Sequence, residues 1–408
     1  MFRPANCLLM LALLFFISCS EVAKNEPEET AYWNTKLIDS SFRLLYKNTD
    51  TVQALQYYDS LLNLSEGITV YPKATRYAMI ANYYYFFTTD NKATARMIDS
   101  ALALYNTPEL RNHYPRSYVG LLLFGGQIAY RLSHYTKANE YYFNAKKLGE
   151  AHLSPCERKS FNYSIAMVLY RQQNFYQSLH YFKEAYAQQA TCSPQTTANI
   201  LQQQEIQSNI GLCFVQLKKY DSAMAHFDQA LQIAEHYKDS LGSATLEKIY
   251  GVIYGNKAQI AMAKGRLDEA EQLSLKSIAL NDRVGYEQEN AMSVKLQLAE
   301  VYGKKKDFVS MFGFLNSLDS SILQANSKIR LEWNRLMASY HEQTANAEVA
   351  LLFSKNYFSL RDSIANDQKK LTAADVARQL KDKEQELQIA VLKKDKQITQ
   401  IWLWVTVV

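Results

Sequence analysis

Two places in the sequence approach a chemical motif, and each lacks the residue that would make it work. Gly303-Lys304 carries the Gly-Lys pair of a phosphate loop. It has no glycine at the upstream position and no Ser or Thr after the lysine, so no run of backbone amides can cradle a phosphate. His341-Glu342 opens as a zinc-protease helix would, but no histidine follows one turn later. The seven histidines are scattered, none at metal-ligand spacing from Cys or carboxylates, and no nucleophile elbow is present. Phosphoryl transfer, metal-assisted hydrolysis and serine-nucleophile chemistry therefore have no residues to carry them. The chain reads as a non-enzymatic protein with no catalytic residue, no metal and no cofactor.

Sulfur is the remaining reactive element. Cys156 and Cys192 stand in Ser154-Pro155-Cys156 and Cys192-Ser193-Pro194, two loop-like stretches flanking one helical hairpin. In an oxidising compartment they could close that unit as a disulfide. The competing reading is two unrelated loop cysteines more than about 7 Å apart, too far to bridge. Cys213 falls within an apolar helical stretch, as a small packing residue.

The elements that must position such residues are helices. Only 13 Gly and 7 Pro in 408 residues argue against strand-and-turn folds, and 48 % hydrophobic against 21 % charged residues excludes a disordered chain. A formal charge of +5 spread over this length gives no concentrated basic face, so nucleic acid is not expected as a partner. The 29 tyrosines suit helix surfaces that are half buried and half wet.

A fixed frame recurs. Gly211, Phe214, Ala223, Phe227 and Ala230 are matched by Gly126, Ala129, Ala138, Tyr142 and Ala145, by Ala166, Leu169, Ser178, Phe182 and Ala185, and by Ala258, Ala261, Ala270, Ser274 and Ser277. Ala299, Tyr302, Met311, Leu315 and Leu318 give a looser copy, with weaker candidates at Tyr85–Ala101 and Leu336–Phe353. Amphipathic helices alone would repeat the 3.6-residue period, but not a constant distance across a turn. Small residues let paired helices cross closely and aromatics fill the gaps.

This arrangement resembles the tetratricopeptide repeat over roughly residues 35–360. It implies an all-α fold, a right-handed superhelical solenoid of antiparallel helix hairpins. The early Trp and the closing Pro of that family are absent from the best copies, and the repeats are longer than the standard unit, which puts an irregular superhelix in view. In that family the first helix of each hairpin lines a binding groove. The resemblance places Gln127, Tyr130 and Arg131 in it from one copy, and Tyr163, Met167, Tyr170 and Arg171 from the next, with Tyr83, Phe86 and Phe87 as an extension. It makes a protein or peptide the expected partner, with a small ligand as another. Guanidiniums one repeat apart suit a carboxylate, phosphate or sulfate, and the tyrosines offer a stacking face. The competing reading is that the tyrosines fill the seam between repeats and each arginine pairs with a nearby acid.

The ends carry an address. Residues 1–19 read as an export signal, with Arg3 ahead of an apolar core from Cys7 to Ile17 that is too short to span a bilayer. Phe16-Ile17-Ser18-Cys19 resembles a bacterial lipobox ending at a lipidated Cys19, although leucine is usual where Phe16 stands. Ordinary cleavage after Ser20 is the alternative. Residues 20–34 form a polar tether. Residues 361–400 form a charged linker helix, with a partial heptad of Leu380, Leu387, Val391 and Ile398 that fits either a homodimer seam or a solvated single helix. Residues 401–408 are apolar, with Trp402 and Trp404. They read as the start of a transmembrane helix or as a tail packed on the last helices, and Lys393, Lys394 and Lys396 run against the first reading. The order as a whole resembles bacterial membrane-bound regulators with an exported repeat sensor. That implies a periplasmic or envelope protein of signal transduction, membrane-associated through Cys19 or residues 401–408. A lipoprotein scaffold that holds partner proteins is the alternative.

Overall fold

The computed structural model describes residues 51–370, apart from 65–67, 133 and 194–195, together with residue 373. Among these residues there are helices and turns but no strand. The chain forms α1 (Thr51–Leu64), α2 (Val70–Tyr83, running into a π-helical turn Tyr84–Thr88), α3 (Asn91–Ala103) and the short α4 (Pro108–His113). It continues as α5 (Pro115–Arg131), α6 (Tyr135–His152), α7 (Pro155–Arg171), α8 (Phe175–Gln189), α9 (Thr197–Gln216) and α10 (Tyr220–His236). The single turn α11 (Lys238–Leu241) leads to α12 (Ser243–Ala263), α13 (Leu267–Asn281), α14 (Gln288–Lys305), α15 (Phe308–Asn316) and α16 (Ser327–Gln343). A last helix, α17, covers 347–370. Consecutive helices pack as antiparallel hairpins, and each hairpin packs on the next. The fold is the expected all-α solenoid of helix hairpins.

Helix starts are written locally. Thr107, Asn174, Thr196, Asp307 and Asn326 each accept a backbone N–H from the first turn of the helix they precede. At the start of α7 the Glu157 carboxylate accepts from both the N–H (2.9 Å) and the hydroxyl (2.7 Å) of Ser154.

The constant distance across the turn has one cause. At each hairpin the residue that begins the second helix donates its N–H to the carbonyl five residues earlier. The bonds run from His134 to Ala129, Asn174 to Leu169, Lys219 to Phe214, Arg266 to Ala261, Asp307 to Tyr302 and Asn346 to His341, at 2.8–3.0 Å. The residue just before the donor is left-handed at Gln173, Lys218, Gly265, Lys306 and Ala345. This is a Schellman closure, and it sets the nine-residue step from the last frame position of the first helix to the first frame position of the second. The hairpin α2/α3 departs from it. At the π-turn Asp90 donates to the Tyr84 carbonyl six residues back, and Thr89 takes the left-handed position. Thr94, Ile98 and Ala101 still occupy the buried frame on α3. In sequence the spacing survives through Asn82, Tyr85, Thr94, Ile98 and Ala101, and the copy is weak because Asn82, Thr94 and Ile98 are not the small and aromatic types of the other copies.

The frame is the core. Ala138, Ala145, Ala166, Ser178, Phe182, Ala185, Ala223, Phe227, Ala230, Ala258, Ala261, Ala270, Ser274, Ser277, Ala299 and Leu315 are all fully buried. The small positions are required by the aromatics facing them. A Cβ on Gly126 would stand 2.5 Å from the Tyr142 ring, and one on Gly211 2.6 Å from the Phe227 ring. The repeat's greater length is absorbed by long first helices, with 20 residues in α9 and 21 in α12. Helix α17 runs through residue 360 without a break, so the last hairpin and the start of the charged helix are one element. Residues 1–34, with Cys19, and 374–408 lie outside the described residues, as do the readings that fall on them. Among the described residues no helix is long and apolar enough to cross a membrane.

Candidate functional site

The first helices α5 and α7 carry the expected groove residues, and the C-terminal ends of α5, α7 and α9 form a ladder. The Arg131 guanidinium lies over the Tyr85 ring of the preceding hairpin, 4.7 Å from its centroid, while Gln127 Nε2 donates to the Tyr85 hydroxyl at 3.2 Å. One hairpin on, Arg171 lies over Tyr130 at 5.7 Å. At the next, Gln216 takes the equivalent place, beside Tyr170. Both arginines are exposed, and neither forms an ion pair with an acid among the described residues. The arginine half of the competing reading is thereby corrected: the partner is an aromatic face from the neighbouring hairpin, held by the cation–π attraction. The tyrosine half is partly right, because Tyr163, Met167 and Tyr170 pack against the central core with one edge left open.

Deeper along the same face, Tyr163 donates to Glu205 Oε1 at 2.6 Å, and Asn209 Nδ2 donates to the Tyr163 hydroxyl at 3.3 Å and to Met167 Sδ at 3.8 Å. Protein crowding pushes the Glu205 carboxyl up from its ordinary pKa; the Tyr163 hydrogen bond opposes this and Glu287, ahead of α14, adds to it. Burial, and then Arg171, holds the Lys328 ammonium of α16 below its ordinary value. Arg171 and Lys328 belong to hairpins far apart in the chain, as do Glu205 and Glu287. Charges of like sign thus act on one another between hairpins distant in the chain, Arg171 on Lys328 and Glu287 on Glu205.

Tyr85 opens the weak copy Tyr85–Ala101, but nothing in the sequence places it beneath Arg131. Three of these residues escape a sequence reading. Glu205, Glu287 and Lys328 have no local signal in the sequence. Tyr83 stacks on Phe87 with ring centroids 5.5 Å apart, and Phe86 packs on the Tyr85 edge at 4.8 Å; their place is the wall behind Tyr85. Among the described residues no three His, Cys, Asp or Glu side chains gather as a metal site requires. Cys156 and Cys192 come together, with Cα atoms 4.9 Å apart.

Residues 204–237 and 252–283 match the tetratricopeptide repeat family model. The matched segments are α9/α10 and most of α12/α13, where the frame is most regular. Among solved structures, the apo form of RapI resembles the chain with a TM-score of 0.58 at 12 % identity, covering 89 % of this chain and 94 % of RapI. A Rap protein complexed with Competence and Sporulation Factor gives 0.54 at 15 % identity, covering 84 % and 100 %. The apo quorum sensor NprR from B. thuringiensis gives 0.51 at 13 % identity, covering 82 % and 99 %. At these identities the likeness is one of fold. No curated protein matches the chain by sequence.

Proposed function

We propose that the chain is a non-enzymatic binding module whose partner is a protein or peptide segment that places a carboxylate against Arg131 and Arg171. The observation that carries this is the pair of exposed guanidiniums, each seated on a tyrosine and neither matched to an acid. A guanidinium on an aromatic shelf is held in orientation with its donor edge free, as bidentate carboxylate capture needs. The face is long enough for an extended segment, and Tyr163, Met167 and Tyr170 offer it half-apolar contacts. That a Rap protein is known in complex with Competence and Sporulation Factor lends support by fold alone.

The test offers the full chain a randomised soluble peptide pool, half with free and half with amidated C-termini, and identifies the retained peptides by mass spectrometry. Retained peptides should be enriched in Asp, Glu or a free C-terminus, and Arg131→Ala with Arg171→Ala should abolish the enrichment. Enrichment that survives both substitutions would move the site elsewhere, and no retained peptide would sink the reading.

The proposal extends to address. The signal-like residues 1–19 and the order of repeats, charged helix and apolar residues 401–408 support an exported sensor half of a transmembrane regulator. Integral-membrane fractionation with protease-accessible repeats is the expected result. Globomycin-sensitive lipid labelling at Cys19 without a membrane span would favour the lipoprotein scaffold.

A further inference from the structure

Away from the groove, the start of α7 holds a buried lysine against two sulfurs. Cys156 Sγ and Cys192 Sγ lie at bonding distance, joining α7 to the segment ahead of α9. Lys159, only 4 % exposed, stands one turn after Cys156. Its Nζ donates to Cys192 Sγ at 3.3 Å and to Asn199 Oδ1 of α9 at 2.8 Å, and lies 3.8 Å from Cys156 Sγ. The sulfurs differ in access, because Cys192 is 4 % exposed whereas Cys156 is half-buried. A disulfide sulfur is a weak acceptor for a buried ammonium, and a thiolate is a strong one.

We propose that Cys156, Cys192 and Lys159 form a redox-active site that takes a thiol or dithiol reductant as its co-reactant. A reductant thiolate attacks the reachable Cys156 Sγ and forms a mixed disulfide. The Cys156–Cys192 bond breaks, and its electron pair leaves on Cys192 Sγ as a thiolate beside Lys159 Nζ. A second reductant thiol attacks the reductant's own sulfur in the mixed disulfide, and its proton goes to the departing Cys156 sulfur. The protein disulfide gains two electrons, and the reductant is oxidised to its disulfide. Because a lower leaving-group pKa speeds exchange, Lys159 acts on the first step. Among the other charged groups here, Arg116 of α5 is paired with Glu157 of α7, and Arg158 of α7 stands next to Lys159 in sequence. Helices α8 and α9 present Gln188 and Asn199, which do not titrate.

The experiment treats the full chain with reduced glutathione and follows each cysteine by differential alkylation and mass spectrometry. Lys159→Met should slow reduction about tenfold and shift the glutathione equilibrium about tenfold toward the disulfide, while Lys159→Arg stays close to wild type. In the reduced wild type, alkylation of Cys192 should reach half its maximum below the ordinary thiol pKa of about 8.5. A Lys159→Met variant that reduces at the wild-type rate with an unchanged alkylation profile would overturn the proposal. If that variant fails to fold, a wild-type midpoint at or above the ordinary value does so alone. So does a chain whose cysteines stay free under oxidised glutathione.

Discussion

The hairpins from α5 to α10 and those from α12 to α16 share one backbone frame and fill it differently. On the second helix, the position facing the small residue of the first is Tyr142, Phe182 or Phe227 in the earlier hairpins and Ser274 in α13. Two residues past the carbonyl that closes the turn stand Arg131 and Arg171 in the earlier hairpins, each over a tyrosine, and Lys304 in α14, paired with Glu300 at 3.1 Å. The later hairpins extend this pairing along their surface: Lys305 reaches Asp268 and Glu271, Arg335 reaches Glu300 and Glu332, and Arg283 reaches Glu247. One frame position thus serves as structure in one half and stands ready for a ligand in the other. What differs is whether an acid is within reach.

The largest expected difference lies in the core. Phe227→Ala should cost about 3–5 kcal/mol, since the fully buried ring leaves a cavity beside Gly211 that the helix backbone cannot close. Ser274→Ala, at the same frame position, should fall within about 1 kcal/mol of neutral and on the stabilising side, because the buried hydroxyl has no hydrogen-bond partner in the structure. Hydrogen exchange resolved by segment separates the two, since stability in a stack of repeats is local. Equal losses of protection would mean that the two halves are packed alike after all.

A smaller effect tests the turns. Gly265 takes the left-handed position with φ +75°, where the earlier hairpins place Gln173 (φ 63°) and Lys218 (φ 57°). Lys218→Gly should stabilise by up to about 1 kcal/mol and Gly265→Ala should destabilise by about as much, read as shifts in the denaturation midpoint. If Lys218→Gly is neutral or worse, the greater freedom of glycine in the unfolded chain outweighs the relieved strain.

Much of the fold was legible because it is written locally. The spacing of Ala166, Leu169, Ser178 and Phe182 reflects a single hydrogen-bonded turn, and the frame residues are the ones the structure buries. The copy at Tyr85–Ala101 blurred because its residue types depart from the frame, with Thr94 and Ile98 where other hairpins have Ala and an aromatic, although the spacing and the burial are kept. The site was legible only on one wall. Arg131 and Arg171 repeat with the frame, so the period shows them. Glu205 reaches Tyr163 across one seam between hairpins, and Glu287 and Lys328 act on that wall from hairpins far along the chain, which no local pattern encodes. Lys159 reads as an ordinary lysine until the stacking of α7 on α9 buries it between Cys192 and Asn199.

The smallest effect is electrostatic, and it opposes the two halves in sign. Glu205 and Glu271 each accept a hydrogen bond from a tyrosine of a neighbouring hairpin, Tyr163 at 2.6 Å and Tyr302 at 2.8 Å. Glu271 also has Lys305 at 2.6 Å, and the hydrogen bonds from Lys305 and then Tyr302 draw its carboxyl below the ordinary value. Among the described residues no cation is bonded to Glu205; crowding and Glu287 push it up. A carboxyl depressed in the folded state contributes stability that is present above its unfolded pKa and lost as pH falls through the folded one. A raised carboxyl contributes the reverse, stability present below the unfolded pKa and lost as pH rises through the folded one. Glu271→Gln should therefore lower Tm at neutral pH, with the gap closing in acid. Glu205→Gln keeps an acceptor for Tyr163 and should raise Tm at neutral pH, with its gap also closing in acid. Both gaps should be small, because water reaches both carboxylates. Two gaps of the same sign would show that the inner face has found its cation, and that the electrostatic contrast between the halves does not hold there.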